Sequence, residues 1–118
     1  MKKLIGYVRV SSEISKIKGN SINNQINKVN NFCNLNDYEL VDVLKDEGKS
    51  GMEFSKRDGY LELINRCKTE NINGVVVYCL SRLGRRMKDI IDVMELFNKN
   101  DIEFYSVKEN INNKDIMG

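Results

Sequence analysis

The stretch Lys3-Leu4-Ile5-Gly6-Tyr7-Val8-Arg9-Val10 predicts the fold class of this chain. Side chains of an extended strand alternate between its two faces, and both faces of this strand carry mostly apolar residues. Such a strand is typical of the centre of an α/β sheet that helices cover on both sides. Ser11 and Ser12 come directly after the strand. Polar groups at that point are of interest, because ligand sites in such sheets lie just beyond the carboxyl ends of the strands.

Helical and extended patterns alternate along the rest of the chain. Apolar spacing predicts helices at 21–36, 57–71 and about 86–100, and strands at 38–44, 74–80 and 102–107. The residues from 110 to 118 are polar and show no pattern. This alternation predicts an α/β fold with a mostly parallel sheet of four to five strands and helices on both faces.

The helical spacing also predicts which side chains face the core. For the three helices in turn, the expected inward positions are Ile22, Ile26, Val29, Phe32 or Cys33, and Leu35; then Tyr60, Leu61, Ile64 and Cys67; then Met87, Ile90, Ile91, Met94 and Phe97.

Composition excludes several classes of protein. A chain of 118 residues suits one domain with a single core. The absence of histidine removes Ser-His and Cys-His catalysis and the commonest metal ligand, and we expect neither a metal nor a cofactor. Three cysteines without a Cys-x-x-Cys pair predict reduced thiols in a cytoplasmic protein. No segment has the pattern of a membrane span or a signal peptide, so we expect no membrane partner.

Four arginines occupy segments that follow or adjoin the predicted strand ends: Arg9, Arg57, Arg82 and Arg85. If they converge on a serine hydroxyl, they form a site for an anion, since the guanidinium group suits phosphate oxygens and stays charged. A plainer alternative is that each arginine pairs with one of the 17 acidic residues on the surface. That alternative is weaker for four arginines at one sheet edge.

Four motifs in this order resemble the catalytic domain of the serine recombinases, the group that includes resolvases, invertases and large serine integrases. The matching segments are Tyr7-Val8-Arg9-Val10-Ser11, Gln25 in the first helix, Asp46-Glu47-Gly48-Lys49-Ser50-Gly51 with Arg57, and Arg82-Leu83-Gly84-Arg85. By this resemblance Ser11, and not Ser12, is the nucleophile. Catalytic roles are likewise implied for Arg9, Gln25, Asp46, Ser50, Arg57, Arg82 and Arg85.

Two features depart from the small resolvases. Ser81 stands where resolvases and invertases usually carry aspartate, which is more like the large recombinases. The family also continues past the position of Gly118 into a long dimerisation helix and a DNA-binding region. We therefore expect residues 1–118 to be a recombinase catalytic domain truncated before those parts.

The resemblance implies a metal-independent reaction on double-stranded DNA, in which Ser11 cleaves and rejoins a phosphodiester through a covalent 5′-phosphoserine intermediate. The arginines would neutralise the phosphate oxygens and replace a metal ion. The general base stays unassigned, with Asp46 as a candidate that could instead orient Arg9. The full-length protein would act as a homodimer or tetramer, and the fragment alone would be inactive.

Two other functions stay open from the sequence. A binding module for a small phosphorylated ligand would share the fold and the arginines without needing Ser11. A catalytically silent recombinase-like protein would act only through protein contacts, and Ser81 keeps that hypothesis open. A response-regulator receiver is excluded, because it needs acidic residues where Arg9 and Ser11 stand.

Overall fold

The computed structural model describes the chain in four ranges, residues 1–9, 22–46, 57–80 and 87–113. Within them lie five strands: β1 (Lys3–Arg9), β2 (Glu39–Asp46), β3 (Gly74–Val77), β4 (Glu103–Ser106) and β5 (Ile111–Asn112). Three helices connect them: α1 (Ile22–Leu35), α2 (Arg57–Thr69) and α3 (Met87–Lys99). The helices match the expected ranges to within two residues, whereas β3 is three residues shorter at its end than the apolar run at 74–80.

The five strands form one sheet in the order β2-β1-β3-β4-β5. The first four are parallel, and β5 pairs antiparallel with β4. Strand β5 lies in the stretch 110–118, where the sequence shows no apolar pattern that would predict it. The fold class is confirmed: a mostly parallel five-stranded α/β sheet, in which β1 is an interior strand between β2 and β3, as expected for a strand with two apolar faces.

Each face of the sheet has its own apolar core. On one face, Ile5 and Tyr7 of β1 pack with residues of α2 and α3, including Leu63, Met94 and Phe97. On the other face, Leu4 packs with residues of α1, including Val29 and Cys33. The side chains of β1 therefore alternate between two cores, which confirms helices on both faces.

Three expected core positions are wrong. Leu35, Leu61 and Met87 are 85%, 43% and 63% exposed. Leu35 is the last residue of α1 and Met87 the first residue of α3. In α2 the expected positions Ile64 and Cys67 are confirmed as buried, but Leu63 joins them in the core in place of Leu61.

All three helices end in the same kind of turn, at the amino-terminal edge of the sheet. Asp37, Asn71 and Asp101 have positive φ angles of 57°, 57° and 59°. The next residue in each case donates its backbone N–H to a carbonyl five residues back: Tyr38 to Cys33, Ile72 to Cys67 and Ile102 to Phe97, at 2.8, 2.8 and 2.9 Å. This is the Schellman pattern, which satisfies the last carbonyls of a helix; the residue after the turn is buried for Ile72 and Ile102 and half-buried for Tyr38.

Candidate active site

The strand order points to one place on the sheet as the ligand site. After β1 the chain crosses over α1 to β2 on one side, whereas after β3 it crosses over α3 to β4 on the other side. The carboxyl ends of β1 and β3 thus flank the position where the strand order reverses. Open parallel sheets bind ligands in the crevice at this position, because the two connections diverge and leave it uncovered. Arg9 ends β1 at this edge.

Asp46 is the register partner of Arg9 at the carboxyl ends of β2 and β1. A bulge produces this pairing: Leu4 is opposite Leu40, but Ile5 is opposite Asp42, so Val41 is an extra residue in β2. Without the bulge, every later residue of β2 would shift by one, and Lys45 would stand opposite Arg9. The bulge therefore places an acid, rather than a second cation, in register with the arginine.

Gln25 lies in the first turn of α1 and is 1% exposed. Helices that cross between parallel strands run opposite to the strands, so the first turn of α1 lies toward the carboxyl edge of the sheet. The same geometry applies to Arg57, the first residue of α2. A buried glutamine in an otherwise apolar helix face is unusual, because a buried carboxamide costs free energy unless it is hydrogen-bonded.

The described ranges hold only part of the predicted catalytic set. The backbone positions of Arg9, Gln25, Asp46 and Arg57 lie on elements that run to or from the carboxyl edge. Ser11, Ser50, Arg82 and Arg85 lie outside the described residues. Catalytic roles for all eight residues stay predictions.

Arg66 shows what a purely structural arginine looks like in this fold. Its guanidinium group lies 2.8 Å from Asp42 Oδ2 and 2.7 Å from Glu70 Oε2. The hydrogen bond from Arg66 lowers the pKa of Asp42, and the two carboxylates raise the pKa of Arg66. Arg66 thus fits the alternative in which arginines pair with surface acids, and it is not one of the four arginines in the motifs.

Two residues at and after the end of β4, Ser106 and Glu109, were not expected at this edge. Ser106 ends β4 in register with Val77 of β3 and is buried, and its hydroxyl donates to the carboxylate of Glu109. The same oxygen of Glu109 accepts the backbone N–H of Leu80 at 3.2 Å. The only signal in the sequence was position: Glu109 follows the fourth predicted strand, as Arg82 follows the third.

The opposite edge of the sheet carries a cleft of about 460 Å³ lined by residues of mixed charge, among them Lys2, Lys68, Asp101 and Glu103. Lys2 Nζ already lies 2.7 Å from Glu103 Oε1. This cleft does not have the excess of cations that an anion site needs. Within the described ranges, no group of three or more His, Cys, Asp or Glu side chains could hold a metal ion. Nor is any helix in the described part of the chain long and apolar enough to cross a membrane.

Known proteins resemble this chain over almost its whole length. Residues 4–118 match the family model described as Resolvase, N terminal domain. The chain is 33% identical over 107 residues to the transposon Tn552 resolvase of Staphylococcus aureus, covering 91% of this chain and 47% of that protein. It is 27% identical over 115 residues to the transposon Tn917 resolvase of Enterococcus faecalis, covering 98% of this chain and 54% of that one. The chain therefore spans about half the length of these relatives.

Solved structures show the same fold. The N-terminal catalytic domain of TP901-1 integrase is 32% identical with a TM-score of 0.77, covering 99% of this chain and 85% of that one. A resolvase family site-specific recombinase from Streptococcus pneumoniae is 27% identical with a TM-score of 0.75, covering 95% of this chain and 76% of that one. With the family model matched from residue 4 to residue 118, the chain belongs to the resolvase N-terminal domain family of serine recombinases.

Proposed function

We propose that this chain is the catalytic domain of a site-specific DNA recombinase in which Ser11 is the nucleophile. The observation that carries the proposal is the position of the first motif. Its arginine, Arg9, ends β1 beside the point where the strand order reverses, and the family match begins at residue 4 within that strand. The S. pneumoniae structure is that of a site-specific recombinase, and the TP901-1 structure is a catalytic domain of an integrase.

In the proposed reaction the Ser11 hydroxyl attacks a DNA phosphodiester in line. The serine oxygen forms a bond to phosphorus while the bond from phosphorus to the 3′ oxygen breaks, which leaves a 5′-phosphoserine link and a free 3′ hydroxyl. The proton of the serine goes to a base, and the departing oxygen takes up a proton. Because the phosphoester is retained, attack by a new 3′ hydroxyl rejoins the DNA without ATP.

The arginines would do most of the electrostatic work. Phosphoryl transfer needs positioning and charge stabilisation more than covalent chemistry from the protein. Arg9, Arg57, Arg82 and Arg85 would neutralise the non-bridging oxygens and favour the deprotonated serine. Asp46, in register with Arg9 through the bulge in β2, is better suited to orient that arginine than to accept the proton. Gln25 and Ser50 would complete the set.

The proposed partners are double-stranded DNA and further copies of the full recombinase chain, as a dimer or tetramer. We propose that assembly and DNA binding need segments outside this catalytic domain. This is supported by the length of the relatives, of which this chain spans about half. A few phosphate contacts give only weak and salt-sensitive binding, so the isolated domain should not cleave DNA by itself.

The test uses the full recombinase chain and a DNA substrate whose cleaved ends cannot be rejoined. Labelled DNA is separated on a denaturing gel for the wild type, Ser11→Ala and Ser12→Ala. We expect a covalent adduct for the wild type and for Ser12→Ala, and none for Ser11→Ala, with unchanged thermal unfolding in all three. An adduct in Ser11→Ala would show that another group is the nucleophile. DNA binding without an adduct in any variant would favour a catalytically silent protein.

A further inference from the structure

The chain that leaves β3 stays tied to the chain that leaves β4. Strand β3 ends at Val77, whose carbonyl accepts the backbone N–H of Val107 at 3.0 Å. The carbonyl of Tyr78 then accepts the N–H of Lys108 at 2.7 Å. Backbone hydrogen bonds therefore still join the two segments one residue past the end of β3 and two residues past the end of β4.

The side chain of Glu109 adds a further connection between the two segments. Glu109 Oε1 accepts the backbone N–H of Leu80 at 3.2 Å and also accepts the hydroxyl of Ser106. Ser106 is buried at the end of β4, so its hydroxyl holds the carboxylate against a part of the sheet that does not move easily. One carboxylate oxygen of Glu109 thus joins the end of β4 to the backbone at Leu80.

The bond to Leu80 matters because Leu80 lies close in the sequence to the arginine motif. Ser81 is the next residue, and Arg82 is only two residues beyond Leu80. Two residues of chain span at most about 7 Å, so the position of Leu80 limits where Arg82 can lie. A misplacement of about 1 Å in a catalytic group can cost on the order of 100-fold in rate.

We propose that Glu109 is a positioning residue for the arginine motif: with Ser106 it fixes the backbone at Leu80, from which the chain runs to Arg82 and Arg85. The inference rests on the proposed recombinase function, because it needs those arginines to act on the phosphate. Glu109 would act only by holding the backbone of Leu80, and we do not expect its side chain to touch DNA.

Two substitutions separate this role from others. Glu109→Ala removes the acceptor for both Leu80 and Ser106. Glu109→Gln keeps an oxygen acceptor of the same reach but removes the charge. Glu95→Ala, at an exposed position of α3, is the matched control for the loss of an acidic side chain.

Two measurements on the full recombinase chain are needed. Amide hydrogen exchange reports on the Leu80 N–H, and the rate of covalent adduct formation at saturating DNA reports on the chemistry. For Glu109→Ala we expect faster exchange at Leu80 and an adduct rate lowered by at least 10-fold. For Glu109→Gln and Glu95→Ala we expect both quantities within about threefold of the wild type. Rescue by glutamine is a result that a requirement for the charge would not produce.

Each contrary result has one meaning. Unchanged exchange at Leu80 in Glu109→Ala would overturn the positioning role, even if the wild type forms the adduct. A normal adduct rate in that variant would overturn it as well. If Glu109→Gln is as slow as Glu109→Ala while Leu80 stays protected, the charge and not the hydrogen bond is what matters, and the positioning role is overturned. A wild-type chain that binds DNA without forming any adduct would instead contradict the proposed function. The exchange measurement at Leu80 does not depend on adduct formation, so the two failures can be told apart.

Discussion

The two edges of the sheet are built on different principles. At the amino-terminal edge, the three helices end in turns of one design, each with an Asp or Asn at positive φ and each followed by a residue whose N–H bonds back to the helix. At the carboxyl edge, no such repetition occurs in the described ranges. Polar residues there stand at strand ends instead: Arg9, Asp46 and Ser106 end β1, β2 and β4. The comparison fits the proposal above, in which the amino-terminal edge stabilises the fold and the carboxyl edge carries the chemistry.

Backbone hydrogen bonds reinforce the amino-terminal edge. Asn73 donates its N–H to the carbonyl of Lys3 at 2.8 Å, and its side-chain oxygen accepts the N–H of Lys3 at 2.9 Å. Its carbonyl accepts the N–H of Glu103 at 3.0 Å. Asn73 thus joins the beginnings of β1, β3 and β4. Substitutions at this edge should therefore change stability, whereas substitutions at the carboxyl edge should change activity.

The largest expected effect is the loss of activity in Arg9→Ala, compared with Arg66→Ala as a control. Arg9→Ala removes a group that would stabilise the transition state, and the loss of one such donor typically costs about 100- to 1,000-fold in rate. Arg66→Ala removes the ion pairs to Asp42 and Glu70, which are partly exposed and worth at most about 1 kcal/mol of stability. Adduct rates and urea unfolding of both variants test this. Equal adduct rates for the two variants would remove the distinction between the edges.

A pair of glycines tests the amino-terminal edge. A Cβ on Gly74 would lie 2.6 Å from the backbone oxygen of Glu103, whereas a Cβ on Gly6 would lie 3.2 Å from the side-chain Cγ2 of Val43. The backbone of Glu103 cannot move aside as easily as a side chain can. Gly74→Ala should therefore destabilise the domain by about 1–3 kcal/mol, as overpacking typically does. Gly6→Ala should cost less. Chemical denaturation measures both, and a larger loss for Gly6→Ala would contradict this packing.

Two buried thiols predict a pH dependence of stability. Burial raises the pKa of the Cys33 and Cys67 thiols to about 11. The backbone carbonyls of both residues accept hydrogen bonds in the turns that end their helices. Since the folded state favours the protonated thiols, their contribution to stability is complete below the thiol pKa of the unfolded chain, about 8.5. It is then lost as pH rises toward 11. Urea unfolding at several pH values checks this slope.

The control for the thiols is the Cys33→Ala, Cys67→Ala double variant. Its stability should be lower at neutral pH because methyl groups fill the two sites less completely than thiols. Between the thiol pKa of the unfolded chain and that of the folded one, its stability should fall less steeply than that of the wild type. Equal slopes would show that other groups cause the alkaline loss.

The smallest effect is expected in the turns. Asp101 has a φ of 59°, a conformation that glycine adopts without steric cost. Asp101→Gly should change the free energy of unfolding by less than about 1 kcal/mol, because relief of strain is offset by the greater freedom of glycine when unfolded. Asp101→Val should destabilise by about 1–2 kcal/mol, since a β-branched residue tolerates this φ poorly. Thermal unfolding of both variants tests the design of the turns.

The sequence predicts some of these features and not others, for physical reasons. Apolar periodicity predicts β1 and the helices well, because burial on one or two faces leaves a regular pattern. It misses β5, which has only two residues, both half-buried. It also misplaces Leu35, Leu61 and Met87. Helical spacing alone does not show which apolar positions the neighbouring elements cover, least of all at the first and last residues of a helix.

The site shows the same division. Chemistry-bearing residues at strand ends, such as Arg9 and Asp46, are predictable because parallel strands bring their carboxyl ends to one edge. Their register is not, since it depends on the bulge at Val41, which no residue preference in the stretch 39–46 indicates. Glu109 is equally hidden, because its role consists of hydrogen bonds to Leu80 and Ser106 that only the folded structure brings together.

The most direct test of the carboxyl edge as an active site is to identify the residue that becomes linked to DNA. The full recombinase chain is incubated with a substrate that cannot be rejoined, digested with protease and nuclease, and the modified peptide is sequenced by mass spectrometry. We expect a nucleotide attached through its 5′ phosphate to Ser11, with a free 3′ hydroxyl on the other DNA end. A link to any other residue, or a phosphate left on the 3′ end, would contradict the assignment of this edge as a serine recombinase active site.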